Sequence, residues 1–558
     1  MAQEAVGQVG VGAGAARTGR LRRDIGMVGL MFSSLGAIIG SGWLFGALYA
    51  AQAAGPAALI SWVLAGGGVM LLALIHAELG AMFPVAGGTA RFPHYAFGGL
   101  AGFTAGWVMW IGSVTVAPIE VEALLQYSSN YINSGNIGNL TYTAANGSVV
   151  LTALGYAVAA VLMLAFTVIN LIGVRWLSHT NNVVMIWKIA IPVLTAIVLL
   201  FHFHGGNLSA AGGFAPFGAK GVLSAIAVGG VIFALLGFEQ AVQMAGESSN
   251  PGRNVPIAVI GAMLIGVVLY LVLQLSFLGA LRPSDLTHGW ASLGSGDVLF
   301  GPFAGLATAI GLGWLATLLY TDAIISPGGT GLIYTASSSR VSYALARNGY
   351  VPGILGKIGM RDVPVWSIVF SFIVGMIVFL PFPGWQQLVG FISEATVVGY
   401  GVAPLALGAL RRQLPEQERP YRLPMAGVLS PLGFVVANLI VYWTGWTVTW
   451  KLLVAIAAGF ALLLIAQVTN RSERRAPLDW EAAMWLVPWL GGMGLISYFG
   501  QFDGRGDIPF WWDMALVTAF SIAVYAIAIQ ARLEPHRVEE HVEQASREHL
   551  DVADEQIA

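Results

Sequence analysis

Residues 36–46 read GAIIGSGWLFG and lie within an apolar run from Met27 to Ala53. The run is long enough to cross a bilayer as a helix. It nevertheless carries four glycines, and each glycine costs about 1 kcal/mol relative to alanine in a helix interior. Because lipid cannot satisfy a freed backbone group, these glycines either let another helix pack closely or mark a break whose open ends have a use.

The composition is typical of a polytopic helical membrane protein. The 558 residues are 57% apolar and 10% charged, with a mean hydropathy of +0.75, whereas a soluble chain carries about 25% charged residues. The chain has no cysteine, which excludes disulfides and thiolate metal sites. Because the sequence also lacks the motifs of P-loop ATPases and zinc proteases, we expect no enzyme, no cofactor, no metal and no nucleic-acid partner.

Apolar stretches separated by polar, glycine or proline residues predict about fourteen membrane spans. Their approximate limits are 27–53, 56–83, 98–128, 150–173, 180–203, 218–246, 255–280, 302–335, 364–382, 385–410, 426–447, 449–469, 481–500 and 509–531. With the N-terminus in the cytoplasm, only Lys220, Arg282, Lys451 and Arg505 of the 26 basic residues fall outside, and Lys188 lies within a span. The positive-inside rule therefore predicts a multi-pass membrane protein with both termini in the cytoplasm.

The sixth predicted span repeats the interruption of the first. Residues 229–239 read GGVIFALLGFE, with Gly237 in the middle of the span. Two five-span repeats in inverted orientation would place these interruptions at matching positions, which indicates the binding site of a transporter. Close helix packing at small residues stays open as an alternative for Gly36 and Gly40.

Four segments between residues 24 and 470 resemble motifs of the amino acid–polyamine–organocation (APC) superfamily. They are GAIIGSGWLFG in the first span, PVAGGTARFPHYAFG at 84–98, FALLGFEQAVQMAGESSNPGRNVPIAV at 233–259 and SPGGTGLIYTASSSRVSYALARNGYVP at 326–352. In addition, RRQLPEQERPYRLP at 411–424 and the extra C-terminal spans resemble the fourteen-span branch that includes bacterial aspartate:proton symporters.

The resemblance implies an all-α membrane protein with the LeuT-type fold of 5+5 inverted repeats and about four additional C-terminal helices. It divides the chain into a cytoplasmic N-terminal tail, a transport core with two repeats, the additional spans and a cytoplasmic C-terminal tail. The corresponding limits are 1–24 for the first tail, 25–410 for the core, about 25–205 and 215–410 for the repeats, 411–531 for the additional spans and 532–558 for the second tail.

The resemblance also implies a substrate site at the two interruptions. Its residues are Ile38, Gly40, Ser41, Gly42, Ser113, Phe233, Leu236 and Gly237. Backbone N–H groups of residues 40–42 would receive the carboxylate of an amino acid, and carbonyls of Ile38, Phe233 and Leu236 would receive its ammonium. Phe233 would close over the substrate from the outside, and Ser113 matches a polar position that contacts substrate in relatives.

Four ionisable residues within the predicted spans are functional candidates by default: Lys188, Glu120, Glu239 and Glu394. Glu120 lies seven residues after Ser113, so it shares that face of the helix. It either contacts substrate or makes a structural hydrogen bond to the broken backbone nearby. Glu394 either lines the cavity or is a protonated acid bonded within the helix core, and Glu239 either orients the second break or takes a proton.

The prediction that protons are the coupling ion depends on Lys188. Sodium-coupled relatives hold an ion between spans one, five and eight, and some proton-coupled relatives carry a lysine there instead. Lys188 fits that pattern, with span-one carbonyls and Ser326 as its expected partners. Because desolvation disfavours a charged lysine, we expect it to gain and lose a proton, with no sodium site, although a static structural cation stays open.

The sequence thus predicts a proton-coupled amino acid symporter that works by alternating access, with an acidic amino acid as substrate. Three buried glutamates favour a cation instead, so a neutral or cationic amino acid stays open as substrate, as does an exchanger or a polyamine transporter of the same superfamily. A sensor that binds an amino acid without transporting it is the alternative from another class. The expected partners are the amino acid, protons and the lipid bilayer, and the protein is a monomer or a homodimer.

Overall fold

The computed structural model describes residues 24–85, 88–132, 138–145, 147–172, 177–294, 297–359, 363–469 and 477–543. Most of the predicted N-terminal tail (1–23) and residues 544–558 of the predicted C-terminal tail lie outside the described residues. The described chain is mainly helical.

Twenty α-helices are bounded within the described residues, and most of them coincide with a predicted span or with part of one. They are α1 (Met27–Ile38), α2 (Gly42–Ala54), α3 (Ala58–Met82), α4 (Gly88–Phe97), α5 (Gly99–Ile132), α6 (Ala153–Ile172), α7 (Leu177–Leu200), α8 (Gly218–Ala227), α9 (Val231–Leu235), α10 (Glu239–Gln243), α11 (Pro251–Ala280), α12 (Asp297–Phe300), α13 (Pro302–Ala309), α14 (Gly313–Arg347), α15 (Val365–Val378), α16 (Trp385–Gln413), α17 (Ala426–Thr444), α18 (Trp446–Thr469), α19 (Leu486–Phe499) and α20 (Phe510–Ala531). Short 3₁₀ helices lie at Gly55–Ala57, Gly205–Ser209, Ala245–Glu247, Pro283–Leu286, Trp290–Ser292 and Gly353–Gly356.

By length and composition, 8 helical segments of the described chain can cross a membrane. They are Gly42–Met82, Gly99–Asn130, Ala153–Ile172, Pro251–Ala280, Trp385–Gln413, Ala426–Thr444, Trp446–Thr469 and Phe510–Ala531. Shorter apolar helices lie in the first, fifth, sixth, ninth and thirteenth predicted spans. The chain is therefore a multi-pass membrane protein, while the total of fourteen crossings stays a prediction.

The predicted break in the first span is confirmed between Ile38 and Gly42. Helix α1 ends at Ile38, and α2 begins at Gly42. The Gly40 N–H donates to the Ile38 carbonyl at 3.1 Å, two residues back. In a continuous helix it would donate to Gly36, four residues back. The break therefore releases the Gly36 carbonyl for another partner.

The sixth span is broken twice, where the sequence predicted one break. The first gap follows α8 and contains Gly230 with φ of +84°, and the second follows α9 and contains Gly237 with φ of +121°. Both values lie in the region that favours glycine. A Cβ at Gly237 would lie 2.8 Å from the Ile38 nitrogen, so this glycine also lets the two broken spans touch. Gly237 thus both breaks the helix and allows close packing.

Three pairs of spans pack on one another around these breaks. The first span touches the sixth, α3 runs along α11, and α5 runs along α14. Each pair is separated by five predicted spans, as expected for two repeats of five.

The four C-terminal helices α17 to α20 are joined to one another through buried polar side chains. Asn438 of α17 donates to Ser521 of α20 at 2.9 Å and accepts from the Trp489 indole of α19 at 2.9 Å. Tyr442 of α17 donates to Asp513 of α20 at 2.5 Å. Helix α17 also lies along α16 and α3, so the additional spans form one continuous body with the core.

The described part of the predicted C-terminal tail is docked on α4. Residues 535–543 form a helix, and the Leu533 N–H donates to the Ala96 carbonyl of α4 at 3.1 Å. Its His541 ring stacks on His94 of α4, with ring centroids 4.6 Å apart.

A small hairpin, which the sequence did not predict, follows α5. Strands β1 (Thr141–Thr143) and β2 (Val149–Leu151) pair antiparallel, with Thr141 opposite Leu151. The Leu151 N–H donates to the Pro383 carbonyl at 3.0 Å and so ties the hairpin to the start of α16.

Candidate functional site

A small cavity lies where the two broken spans meet α5, α14 and α16. Eight of the predicted site residues line it: Ile38, Gly40, Gly42, Ser113, Glu120, Phe233, Leu236 and Glu239. The cavity volume is about 20 Å³, which is room for about one water molecule. The described conformation is thus contracted around the predicted site.

Glu120 accepts a hydrogen bond from the Ser41 N–H, one of the backbone donors that the sequence analysis assigned to a substrate carboxylate. The Ser41 N–H lies 3.0 Å from Oε2 of Glu120 and 3.2 Å from Oε1, within a fully buried contact. A Cβ at Gly40 would lie 2.6 Å from Glu120 Oε1, so glycine is needed for the carboxylate to approach. Of the two roles left open for Glu120, this conformation displays the hydrogen bond to the broken backbone.

The carbonyls predicted to receive an ammonium are partly bonded within the protein. Tyr270 of α11 donates its hydroxyl to the Ile38 carbonyl at 2.8 Å. The Phe233 carbonyl accepts the Leu236 N–H at 3.2 Å, where α9 ends. A substrate ammonium would therefore replace or share the Tyr270 contact.

Aromatic rings close one side of the cavity. Phe233 meets Trp385 of α16 edge-on, with centroids 5.8 Å apart. Trp385 also contacts Phe45 at 4.8 Å and Tyr49 at 5.4 Å, both on α2. Its indole donates to the Ser41 hydroxyl at 2.9 Å. In the predicted topology these rings lie on the extracellular side, where Phe233 was expected to act as a gate.

Lys188 of α7 joins the first break to α14. Its Nζ donates to the Gly36 carbonyl at 2.9 Å and to the Thr330 hydroxyl at 2.6 Å. The Gly36 carbonyl is the one that the break releases, so the lysine replaces a lost helical hydrogen bond. The expected span-one carbonyl is therefore a partner, whereas the partner on α14 is Thr330, one turn beyond the predicted Ser326.

Ser326 belongs to a neighbouring acidic group that the sequence interpretation missed. Its hydroxyl donates to Asp322 Oδ1 at 2.7 Å, and the Trp187 indole donates to the same oxygen at 2.9 Å. Asp322 is fully buried. Its position inside the run 302–335 is the signal that would have identified it, because any acid within an apolar span is a functional candidate.

Glu239 lies at the second break and connects it to two tyrosines. Tyr400 of α16 donates to Oε2 of Glu239 in a short hydrogen bond, and Tyr334 of α14 donates to Oε1 at 3.5 Å. The carboxylate lines the cavity and begins α10. Both of its predicted roles, orienting the break and taking a proton, stay open.

Comparison with known families matches residues 25–465 to the amino acid permease family. The chain belongs to this family. The permease is 40% identical to the glutamate/serine transporter AimA of Bacillus subtilis (strain 168) over 522 residues, which cover 92% of this chain and 94% of AimA. The aspartate-proton symporter of the same organism is 37% identical over 512 residues, covering 91% of this chain and 96% of that protein. The methylthioribose transporter of that organism is 30% identical over 421 residues, covering 73% and 86%.

These matches confirm the predicted superfamily. The named relatives are transporters, and the permease is accordingly a membrane transport protein and not an enzyme. Its length also corresponds to that of the first two relatives, so the C-terminal helices belong to the region of similarity.

Two further buried acids of the permease lie away from the cavity between the breaks. Glu394 of α16 accepts from the Thr444 hydroxyl at 2.9 Å and lines a separate cavity with Asn438 and Trp489. Glu122 of α5 is 1% exposed, and neither of its oxygens has a hydrogen-bond partner among the described residues. The prediction that Glu394 contacts substrate gains no support from this placement.

Proposed function

We propose that the permease is a proton-coupled symporter that accumulates an acidic amino acid by alternating access in a bacterial cell membrane. The observation that carries this proposal is the hydrogen bond of the Lys188 ammonium to the released Gly36 carbonyl. It links a titratable group directly to the backbone break where substrate is expected to bind. The similarity to an aspartate-proton symporter over 96% of its length supports both the proton and the acidic substrate.

The coupling follows from what the lysine holds together. Protonated Lys188 donates to Gly36 of α1 and Thr330 of α14, and so joins the first, fifth and eighth spans. A neutral amine donates more weakly than an ammonium. Loss of the proton therefore loosens the attachment of the broken span, and this difference between two states is what a coupling ion must provide.

The same contact supports proton coupling without a sodium site. The Lys188 ammonium brings a positive charge to the carbonyl and hydroxyl oxygens of Gly36 and Thr330, which are the hard oxygen ligands that a metal cation would use. A sodium ion at the same oxygens would meet the like charge of the ammonium. We therefore assign the proton as the only coupling ion.

The substrate carboxylate would exchange with Glu120 at the Ser41 N–H. Both groups are carboxylates that suit the positive end of α2, and a single N–H cannot serve both fully. The ammonium of the substrate would reach the carbonyls of Ile38, Phe233 and Leu236, which lie at the ends of α1 and α9. Phe233 and Trp385 would close above it.

The packing supports the implied fold and orientation. Spans one and six, two and seven, and three and eight pack as pairs, which fits two inverted repeats of five spans (about 25–205 and 215–410) followed by four additional spans. We assign both termini to the cytoplasm from the distribution of basic residues. Helix α14 then runs from the outside inward.

The test is uptake of labelled aspartate, glutamate, serine, lysine and putrescine into proteoliposomes without sodium. The membrane potential is clamped near zero, and the lumen is one pH unit more alkaline than the bath. For one proton per substrate we expect about tenfold accumulation of an acidic amino acid, which an uncoupler abolishes. Uptake that requires substrate preloaded in the lumen would instead establish an exchanger.

Lys188→Ala separates binding from coupling. The variant should retain counterflow, in which labelled substrate exchanges for unlabelled substrate at equal pH, and it should lose pH-driven accumulation. Lys451→Ala is the matched control, because Lys451 lies at the start of α18 and donates to the Pro381 carbonyl away from the cavity. Full accumulation by Lys188→Ala would remove the lysine from the coupling mechanism.

A further inference from the structure

Three polar side chains form a stripe along one face of α14. Asp322, Ser326 and Thr330 are spaced at four-residue intervals, so they share a face of the helix over about 12 Å of its axis. Thr330 accepts from Lys188, and Ser326 donates to Asp322. In the orientation proposed above, Asp322 is the extracellular end of the stripe, Ser326 is its midpoint and Thr330 is its cytoplasmic end.

Asp322 is buried without being fully satisfied. Its side chain is 0% exposed, and Oδ1 accepts from Ser326 and Trp187. Its Oδ2 makes no hydrogen bond of regular geometry in the part of the chain that the structure describes, and nor does Nε1 of the Trp43 indole, which lies close enough to act on the Asp322 carboxylate. An ionised carboxylate oxygen without a donor is costly in such a setting. A proton on Oδ2 or an approaching cation removes that cost.

Lys188 is placed to provide that cation. Trp187, its neighbour in the chain, already contacts Asp322, so α7 and α14 are in register at this level. The Lys188 ammonium sits on a flexible four-carbon stem. A change of rotamer toward the extracellular side would take Nζ from Thr330 to Ser326 and Asp322 on the same stripe.

The charges of Lys188, Glu120 and Asp322 together favour one exchangeable proton. Glu120 and Asp322 are the acidic side chains whose charges act on Lys188 in the described residues. Two carboxylates and one ammonium carry a net charge of −1 when all are ionised, and one bound proton makes the group neutral. Because a buried net charge is costly, the group holds that proton collectively. Tyr127 of α5 is the other titratable side chain that faces Asp322 from a neighbouring helix of the described chain.

We propose that Asp322 is a second proton site of transport, which receives a proton from the extracellular side and passes it to Lys188. This inference rests on the proposed proton-coupled function. With Glu120 protonated, the Asp322 carboxylic acid transfers its proton to the neutral Lys188 amine, which yields a carboxylate and an ammonium and keeps the three side chains neutral in sum before and after the step. The ammonium then returns to Gly36 and Thr330, and its proton is released when the site opens toward the cytoplasm.

The test compares Asp322→Asn with Glu122→Gln in proteoliposomes at a gradient of one pH unit. Asparagine keeps an oxygen that can accept from Ser326 and Trp187 but cannot carry the proton. We expect accumulation to fall from about tenfold to about onefold, while counterflow at equal pH stays within about twofold of the parent. Glu122→Gln replaces a buried acid on α5 that lies outside the stripe, and it should accumulate substrate like the parent.

Asp322→Glu provides the second variant, because it restores an acid and should recover part of the accumulation. Parental accumulation by Asp322→Asn would overturn the inference. Loss of counterflow together with accumulation, without recovery in Asp322→Glu, would also overturn it, since that result indicates a structural role. If the parent itself shows no pH-driven accumulation, the proposed function fails, and this outcome is distinct from failure of the Asp322 assignment.

Discussion

Replacement of Glu120 by glutamine should strengthen substrate binding. In the described conformation the Glu120 carboxylate accepts from the Ser41 N–H at 3.0 Å and 3.2 Å. A substrate carboxylate directed to the same N–H must first displace it. Glu120→Gln keeps the size of the side chain and one acceptor oxygen but removes the charge, so the internal competitor is weakened while the backbone donor is unchanged.

The magnitude follows from the kind of hydrogen bond that is lost. Hydrogen bonds to charged groups contribute about 1.5–3 kcal/mol, and neutral ones about 0.5–1.5 kcal/mol. The exchange of carboxylate for amide therefore weakens the hydrogen bond between residue 120 and the Ser41 N–H by about 1 kcal/mol. The protein then binds the competing substrate carboxylate about fivefold more tightly.

Equilibrium binding of the transported amino acid in detergent, at one fixed pH, measures this effect without a proton gradient. Glu122→Gln is the control because its carboxylate lies on the same helix and, within the described residues, is bonded to neither Ser41 nor another donor. Its affinity should equal that of the parent. An unchanged or weaker affinity in Glu120→Gln would refute the competition and favour a direct contact between Glu120 and substrate.

Three other perturbations test the surroundings of the site. Gly237→Ala should lower the free energy of unfolding by at least about 2 kcal/mol in thermal melts, because alanine is strained at φ of +121° and its Cβ would contact the first break. Gly67→Ala, with open space around its Cβ, should not destabilise the protein. Glu78→Gln should cost about 3 kcal/mol in the same assay, because the buried Glu78 carboxylate pairs with the partly exposed Arg411 of α16 at 2.6 Å. Burial lowers the pKa of His94 to about 3 and also lowers that of His541. Docking of the helix at 535–543 should therefore be fully stable above about pH 6.5 and weaken as the pH falls toward 3. Amide hydrogen exchange of this helix measures the change. Protection of its amides that does not depend on pH would contradict this account.

The breaks and the cavity could be predicted because they depend on local chemistry. The break at Gly237 was predicted from the residues of its own span, and helical periodicity over the continuous helix α5 correctly put Glu120 on the face of Ser113. Both residues line the cavity, and the second interruption lies five spans from the first. These inferences required no knowledge of how distant helices align.

The partner of Lys188 on α14 was predicted wrongly and the role of Glu394 was left open, because the alignment of distant helices decides both. Ser326 and Thr330 lie one turn apart on the same face of α14, and only the register of α7 against α14 selects Thr330 as the partner of Lys188. Glu394 lies on α16, and every residue of the apolar membrane-spanning part of this helix is buried. Periodicity therefore cannot distinguish the side of α16 that faces the cavity from the side that faces α17.

A single helix break accounts for the placement of both the acid and the base at this site. The backbone groups that the break exposes include a donor, the Ser41 N–H, and an acceptor, the Gly36 carbonyl. Lipid cannot satisfy either group, so the chain must supply partners. Glu120 satisfies the donor and Lys188 satisfies the acceptor. In the proposed mechanism, protonation of the acid or deprotonation of the base would weaken its bond to the corresponding backbone group. A substrate with a carboxylate and an ammonium would then take over these contacts, and this exchange would tie substrate binding to proton movement.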